Sequence, residues 1–447
     1  MFASQQTSMT NNEGNSAGRA AVRGTLYGFI LRIISFSLSQ VTFRFVDPVV
    51  LGRASIRLEL LLNTALFIGR EGFRLALLKT DSKQMNEGEA GQKSNAQGIV
   101  NVSWLSIPVG GILSLIAFFV HMYSCYHMQS SMKENDSSSI LDYQLAGTFY
   151  CIAAFIEILA EPLIIKAMQD LDVETRAAAE GTAALAKAAT AVLLLNLSLV
   201  SEQWPVSAFG IAQMMYSLAL ACVMYKRKWK LITWPSLSTN DNDGNYLLDR
   251  QALKLTSIFT LQGIFKHLLT EGDRIILTAL ADGYDQGVYA MASSYGGMAS
   301  RLLFQPLEEN ARLLFSNQEK LISIKTNKDK QNTETKLEEE SSRALNDLEQ
   351  SLCVLLKLVL YIGFLFSCIA SNYTGILLTL LAGNKWGSNI EASRALSAFC
   401  IYTAFLALNG TTEAFVYGVA KSGREVGKLG VAHALGKYSL RFDMIFK

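Results

Sequence analysis

The chain has 447 residues, of which 50% are hydrophobic and 17% charged, and its formal net charge at pH 7 is +2. A soluble protein of this length carries more charge, and the near-neutral balance gives no basic field for a nucleic acid partner. The six cysteines and four histidines are scattered without metal-ligand spacing, so we predict no cofactor, no metal site and no enzymatic activity.

Apolar runs of about 20 residues alternate with polar segments, which is typical of an all-α polytopic membrane protein. Residues 1–23 are rich in Ser, Asn and Gly and are predicted to form a disordered cytosolic tail. Residues 24–225 are predicted to form an N-terminal lobe of six helices. These helices are Thr25–Val46, Arg53–Leu78, Val102–Tyr126, Tyr143–Met168, Arg176–Leu199 and Val206–Tyr225.

A polar cytosolic linker, 226–251, is predicted to separate this lobe from a second one, 252–420. The second lobe contains a charged cytosolic loop at 316–348 and four predicted helices, which makes about ten in the chain. The four are Ala252–Leu280, Gln286–Phe315, Leu352–Ser371 and Ala395–Ala420. Residues 421–447 form an atypical polar tail with no run able to span a membrane.

Loop charges predict the topology. Lysine and arginine concentrate in the loops that follow the even-numbered helices, whereas the intervening loops hold few, among them Lys133 and Lys385. Because positively charged loops stay on the cytosolic side, both termini are predicted to be cytosolic.

The second helix carries a polar stripe. On a helix with 100° per residue, five of its side chains fall within an arc about 100° wide: Ser55, Glu59, Asn63, Arg70 and Arg74. A charge in hydrocarbon costs at least about 2.5–3.5 kcal/mol, so the stripe should face other protein or a wet cavity.

An internal repeat accompanies the stripe. Glu71 and Arg74 have the spacing E-x-x-R, which returns at Glu309 and Arg312. The eighth helix has its own stripe, formed by Arg301, Gln305, Glu308 and Arg312. Glu161 in the fourth helix corresponds to Glu413 in the tenth, and the turn Asp47 to Gly52 corresponds to Asp282 to Gly287. This order predicts two pseudo-repeated lobes around a central polar cavity, the second of them incomplete.

Several stretches resemble the Rft family of endoplasmic-reticulum proteins. They are 49–77, 159–169, 269–278, 285–315 and 408–418, which contain the elements REGFR, TEGDR and FQPLEE. The resemblance implies the fold of the multidrug/oligosaccharidyl-lipid/polysaccharide exporter superfamily. It also implies more helices at the C-terminus than this sequence has, so we expect a truncated form.

The resemblance implies translocation of a dolichyl-pyrophosphate-linked oligosaccharide from the cytosolic to the lumenal leaflet for N-glycosylation. Partners would be this glycolipid, membrane lipids and the glycosylation machinery. Two alternatives stay open: a non-transporting accessory factor of glycolipid assembly, and a cation-coupled exporter of small molecules. A multi-pass location in the endoplasmic reticulum membrane follows from the same resemblance.

A pyrophosphate headgroup needs cations in a low-dielectric cavity, and arginine binds phosphate bidentately. Arg44, Arg70 and Arg74 are therefore the leading candidates for its ligands, while Glu161 and Glu413 could couple transport to protons. The alternative is that the charged side chains pair with one another and hold helices together. The predicted headgroup cavity comprises Arg44, Glu59, Asn63, Arg70, Glu71, Arg74, Glu161, Glu271, Arg274, Arg301, Glu308, Glu309, Arg312 and Glu413.

Overall fold

The computed structural model describes residues 30–31, 33–35, 37–84, 89–131, 137–170, 172–228, 234–236, 238–240, 244–246, 248–304, 307–308, 311, 314–315 and 334–419. The predictions made for 1–23, for 421–447 and for most of the loop 316–348 lie outside these residues. Glu309 and Arg312 lie outside them as well, and the side chain of Arg301 is not described.

The chain divides into two compact units, Met1–Gly287 and Val288–Lys447. In the first, residues 37–43 are helical and are followed by α1, a π-helical turn at Arg53–Leu58, and α2. The helices of this unit are α1 (Pro48–Gly52), α2 (Glu59–Gln84), α3 (Glu89–Ser131), α4 (Ser137–Leu159), α5 (Glu161–Gln169), α6 (Val173–Leu195), α7 (Ser198–Gln203), α8 (Pro205–Lys228) and α9 (Arg250–Leu280).

In chain order, α10 (Gly283–Ala299) follows and crosses the division between the units, and a π-helical turn continues it from Ser300 to Phe304. The remaining helices are α11 (Glu334–Phe364), α12 (Thr374–Ala382), α13 (Asn384–Gly387) and α14 (Ile390–Val419). π-helical and 3₁₀ turns connect α11 to α12. In this unit α11 packs against α14, and Phe304, Val359 and Ala407 form a buried cluster.

Short polar signals define several helix ends. Asp249 accepts hydrogen bonds from the N–H groups of Gln251 and Ala252 and so caps α9. Asp142, within α4, accepts hydrogen bonds from Val206 N and Ser207 N and thereby fixes the start of α8 against α4.

Two predicted helices differ from the observed ones in instructive ways. The predicted fourth helix is interrupted at Ala160, where α5 begins with Glu161 and Pro162, so the expected proline kink is confirmed. The predicted loop at 88–98 is wrong from Glu89 onward, because α3 starts there and extends ahead of its apolar part.

The linker contains the only strands of the described residues. Ser238–Asn240 (β1) and Gly244–Tyr246 (β2) pair antiparallel, with Thr239 opposite Asn245. This short polar ladder lies in the predicted linker, outside the apolar helices, and the all-α fold class is confirmed.

Six described helical stretches are long and apolar enough to cross a membrane, which fits a multi-pass membrane protein. They are Gln97–Met128, Ser139–Leu159, Glu174–Leu195, Pro205–Lys228, Leu348–Ala382 and Ile390–Val416. The charged helices α2 and α9 are not among the six. The predicted number of about ten spans and the predicted division into lobes at the linker stay predictions. α9, which was assigned to the second lobe, packs within the first unit.

Candidate functional site

The polar stripe of α2 faces protein, as predicted. Its side chains contact two groups of helices within the first unit: α4 to α6 on one side and α9 on the other. A buried apolar layer that includes Phe73, Leu77, Val102 and Ile165 packs around the end of α2. This layer flanks the contact between Arg74 and Glu161, which therefore lies in surroundings of low dielectric, where ion pairs are strong.

Arg74 is held by a two-point contact. Its Nε lies 2.5 Å from Glu161 Oε1, and its Nη2 lies 2.8 Å from Glu161 Oε2. The Glu161 side chain is 1% exposed and that of Arg74 15% exposed. This bidentate pair joins α2 to the first turn of α5, and it uses both oxygens of the carboxylate.

Arg70, one helical turn earlier, is held more weakly. Its Nη1 lies 3.3 Å from Glu157 Oε2, and 28% of its side chain is exposed. Glu157 is buried, and its other oxygen accepts hydrogen bonds from Gln213 Nε2 and Ser217 Oγ of α8, each at 3.1 Å. One oxygen of Glu157 is therefore satisfied by α8 independently of Arg70, whereas Arg70 makes a single ion pair among the described residues.

Two further members of the stripe also have partners. Glu59 Oε1 lies 3.0 Å from Lys187 Nζ of α6. Asn63 Nδ2 lies 3.5 Å from Glu271 Oε1 of α9, and the other oxygen of Glu271 pairs with Arg274 at 3.2 Å. These contacts balance positive and negative charges along α2.

A second row of α2 side chains faces α9. Glu71 pairs with Lys266 at 3.1 Å, and Thr64 Oγ1 lies 2.9 Å from His267 Nε2. The His267 ring stacks on Phe67 with 5.0 Å between centroids. Glu71 therefore pairs with α9 and not with Arg74, whose acidic partner, Glu161, lies on α5.

The two acidic turns that the repeat matched are in direct contact. A Cβ at Gly52 would overlap Gly283 O and lie 2.8 Å from Gly287 N, and a Cβ at Gly287 would overlap Pro48 O. Beside this contact, Arg57 Nε donates to the buried Gln286 Oε1 at 2.9 Å. The charge pattern predicts that this end of α2 faces the lumen, and the glycines allow the two backbones to meet there.

Gly287→Ala is expected to lower the melting temperature of the purified protein, because the added Cβ must displace the Pro48 backbone. Inserting a methyl group into a packed contact costs about 1–3 kcal/mol. Gly283→Ala is the matched control, since a Cβ there meets only Val49 Cγ1, at 3.4 Å. Equal melting temperatures for the two variants would show that the glycine contact is not needed for stability.

At the predicted cytosolic end, Lys228 of α8 is buried and pairs with Asp172 at 2.9 Å and with Asp170 at 3.4 Å. Burial raises the pKa of Asp172, but hydrogen bonds from Lys228 and Thr175 outweigh this effect, so the pKa lies below its ordinary value. Lys228 is therefore a structural partner for the start of α6 as well as part of the basic segment.

The predicted site residues of the second half are only partly described. Glu308 lies against α14, where a Cβ at Gly410 would overlap its carboxylate, and Glu413 follows about one turn later and is half-buried. Arg44 follows helical residues 37–43 and is exposed.

The structure adds Glu157, Gln213, Ser217 and Lys187 to the residues selected from the sequence. A signal for Glu157 was available, because Glu157 and Glu161 are four residues apart, as are Arg70 and Arg74. The predicted topology makes the second and fourth helices parallel, so the two i, i+4 pairs can match one to one. Gln213 and Ser217 gave no such signal, since uncharged polar residues are common in membrane helices.

Among the described residues, no group of three His, Cys, Asp or Glu side chains could hold a metal ion. The site consists of arginine, lysine, carboxylate and amide groups. Such a set can bind an anion or hold helices together, and it offers no activated nucleophile.

A solved structure shares this fold. A multidrug resistance MATE family transporter of the MOP superfamily, in its inward-facing conformation, superposes with a TM-score of 0.57. The match covers 88% of this chain and 82% of the transporter at 12% sequence identity. At that identity the likeness concerns the fold alone.

Sequence comparison gives nearer relatives, each called Man(5)GlcNAc(2)-PP-dolichol translocation protein RFT1. The Yarrowia lipolytica protein is 29% identical over 93% of this chain, which spans 62% of that protein's length. The Dictyostelium discoideum protein is 27% identical, with 93% of this chain and 78% of the relative covered. For the Candida albicans protein the values are 29%, 93% and 74%.

A profile of the family described as Rft protein matches residues 21–434. This range includes every residue of the predicted headgroup cavity. The motifs that suggested the resemblance lie within it as well. The chain therefore belongs to the Rft protein family.

Proposed function

We propose that this protein moves a dolichyl-pyrophosphate-linked oligosaccharide across the endoplasmic reticulum membrane, from the cytosolic to the lumenal leaflet. The observation that carries the proposal is the family match over residues 21–434, whose relatives are named for translocating Man(5)GlcNAc(2)-PP-dolichol. The transporter-like fold and the polar stripe inside an apolar bundle support it. In this role the protein is a carrier. We also propose that both of its termini lie in the cytosol.

The diphosphate is the part of such a substrate that resists crossing a bilayer, because moving its charges into hydrocarbon is costly. A carrier must replace the lost water with fixed cations and hydrogen-bond donors. Arginine suits this task, since its planar fork matches phosphate oxygens and it stays charged when buried.

Within the stripe, Arg70 is best placed to bind the headgroup. It is partly exposed, and a single 3.3 Å contact restrains it among the described residues. Arg74, in contrast, is committed to both oxygens of Glu161 and is largely buried. We therefore assign headgroup binding to Arg70 and helix attachment to Arg74.

The other residues of the predicted cavity have supporting roles in this proposal. Glu59, Asn63, Glu71, Glu271 and Arg274 form pairs that fix α2 against α6 and α9. Arg44 is exposed and lies just before the turn that is predicted to face the lumen, so it would meet the headgroup after Arg70. By repeat correspondence, a second group of residues would serve the other half of the path: Arg301, Glu308, Glu309, Arg312 and Glu413.

Reconstitution tests the proposal. Vesicles containing only the purified protein receive a radiolabelled pyrophosphate-linked oligosaccharide lipid in one leaflet, and its appearance in the other is followed with a membrane-impermeant lectin. We expect exchange at least about tenfold faster than in protein-free vesicles, the equivalent of about 1.4 kcal/mol in the barrier. Equal rates in the two preparations would contradict direct translocation.

The accessory alternative predicts a different pair of results. The protein would then restore N-glycosylation in cells that lack their own Rft protein while remaining inactive in vesicles. Measuring both with the same chain separates a carrier from an assembly factor.

A further inference from the structure

Glu157 occupies a special position beside Arg70. It is 4% exposed, so its carboxylate cannot rely on water for solvation. Instead, Gln213 and Ser217 donate to one oxygen, and Arg70 approaches the other. Loss of the Arg70 contact would therefore leave Glu157 with two hydrogen bonds from α8, and only one oxygen would lose its partner.

We propose that Glu157 is an internal competitor for Arg70: a fixed carboxylate that occupies the phosphate's place on the guanidinium while the site is empty. This inference rests on the proposed function. Carboxylate and phosphate oxygens bind the same N–H donors of arginine. An incoming diphosphate can take over Nη1 of Arg70, because the contact it displaces is single and long at 3.3 Å.

The neighbouring pair shows why this role falls on Glu157 and not on Glu161. Displacing Glu161 from Arg74 would break two short contacts, at 2.5 and 2.8 Å, around a carboxylate that is 1% exposed. Removing one partner of a buried pair is strongly destabilising, and a headgroup passing through would have to supply that free energy.

An internal competitor lowers affinity and speeds release. A carrier gains nothing from holding its substrate tightly, since the headgroup must leave again on the far side. When Glu157 returns to Arg70, it replaces the departing phosphate. The guanidinium is then not left without an anion inside the protein, where an unpaired charge is costly. The competitor therefore favours turnover at the expense of binding.

The test measures binding of farnesyl diphosphate to the purified full chain in nanodiscs, with farnesyl monophosphate as the control ligand. Glu157→Gln is expected to tighten diphosphate binding about tenfold, or about 1.4 kcal/mol, and to slow glycolipid exchange in vesicles. Glu174→Gln, which removes an exposed negative charge from α6, is the matched control and should leave binding unchanged.

Two additional variants make the test specific. In an Arg70→Ala background, Glu157→Gln should give no tightening, because the competition acts through Arg70. Gln213→Leu removes a donor from Glu157, which then holds Arg70 more strongly, so diphosphate binding should weaken. Opposite signs for Glu157→Gln and Gln213→Leu are not expected from general loss of stability.

Unchanged or weaker binding by Glu157→Gln would overturn the competitor role while leaving headgroup binding by Arg70 intact. Equal tightening with and without Arg70 would also overturn it, since that result reflects a general charge effect. A failure of the proposed function looks different, because the wild-type chain would then show no preference for the diphosphate over the monophosphate.

Discussion

Arg74→Ala is expected to remove most of the folded protein from the membrane. The substitution leaves Glu161, which is 1% exposed, as a buried carboxylate without its bidentate partner. Breaking such a pair from one side costs about 3–5 kcal/mol, a large share of the stability of a typical domain. Protein level and the monodisperse fraction after detergent extraction measure the loss.

A double variant provides the control. Arg74→Leu combined with Glu161→Leu removes both charges and should restore most of the folded protein, because replacing a buried ion pair with apolar residues is often neutral or stabilising. A stable Arg74→Ala protein that has lost glycolipid exchange would contradict this account. It would indicate that Arg74 binds the headgroup.

Arg70→Ala is expected to have the opposite profile, with a normal amount of folded protein and at least about a tenfold loss of glycolipid exchange in vesicles. Stability should change little, because Arg70 is partly exposed and Glu157 keeps its hydrogen bonds from Gln213 and Ser217. Exchange should fall because the headgroup loses its principal cation.

Arg70→Lys serves as the conservative variant. Lysine keeps the charge but lacks the planar fork, so exchange should recover only in part. Full exchange by Arg70→Ala at normal protein level would exclude Arg70 as a ligand of the headgroup.

The helices of this protein were largely predictable, because apolar runs of about 20 residues leave few alternatives. The proline break before α5 was also predictable, since Pro162 lacks the N–H that a continuous helix needs. The extension of α3 back to Glu89 was not, because hydrophobicity reports where a helix can enter the membrane and says little about a polar helical segment outside it.

The orientation of the site residues was predictable, but their partners were not. The stripe on α2 showed that Arg70 and Arg74 face protein, but a single helix does not reveal which neighbour receives them. The spacing E-x-x-R suggested Glu71 as a partner, whereas Glu71 pairs with Lys266 of α9. Glu71 lies outside the arc of the stripe, so its side chain faces α9 and not the helices that receive Arg70 and Arg74.

The unequal roles of the two arginines could not be predicted from sequence at all. Both stand on the same face, and each has an acid of α4 or α5 at the matching position. The difference lies in geometry, with two short contacts for Arg74 and one longer contact for Arg70. Likewise, the repeat matched the turns ending in Gly52 and Gly287, but only the structure showed that they touch.

The most direct test of the central claim compares binding of a pyrophosphate-linked glycolipid with binding of its monophosphate analogue, for the wild-type chain and for Arg70→Ala in nanodiscs. If Arg70 binds the headgroup, the wild type should prefer the pyrophosphate by about tenfold or more, and Arg70→Ala should lose most of that preference. An Arg70→Ala protein that keeps the full preference would contradict the claim and would place the headgroup elsewhere in the molecule.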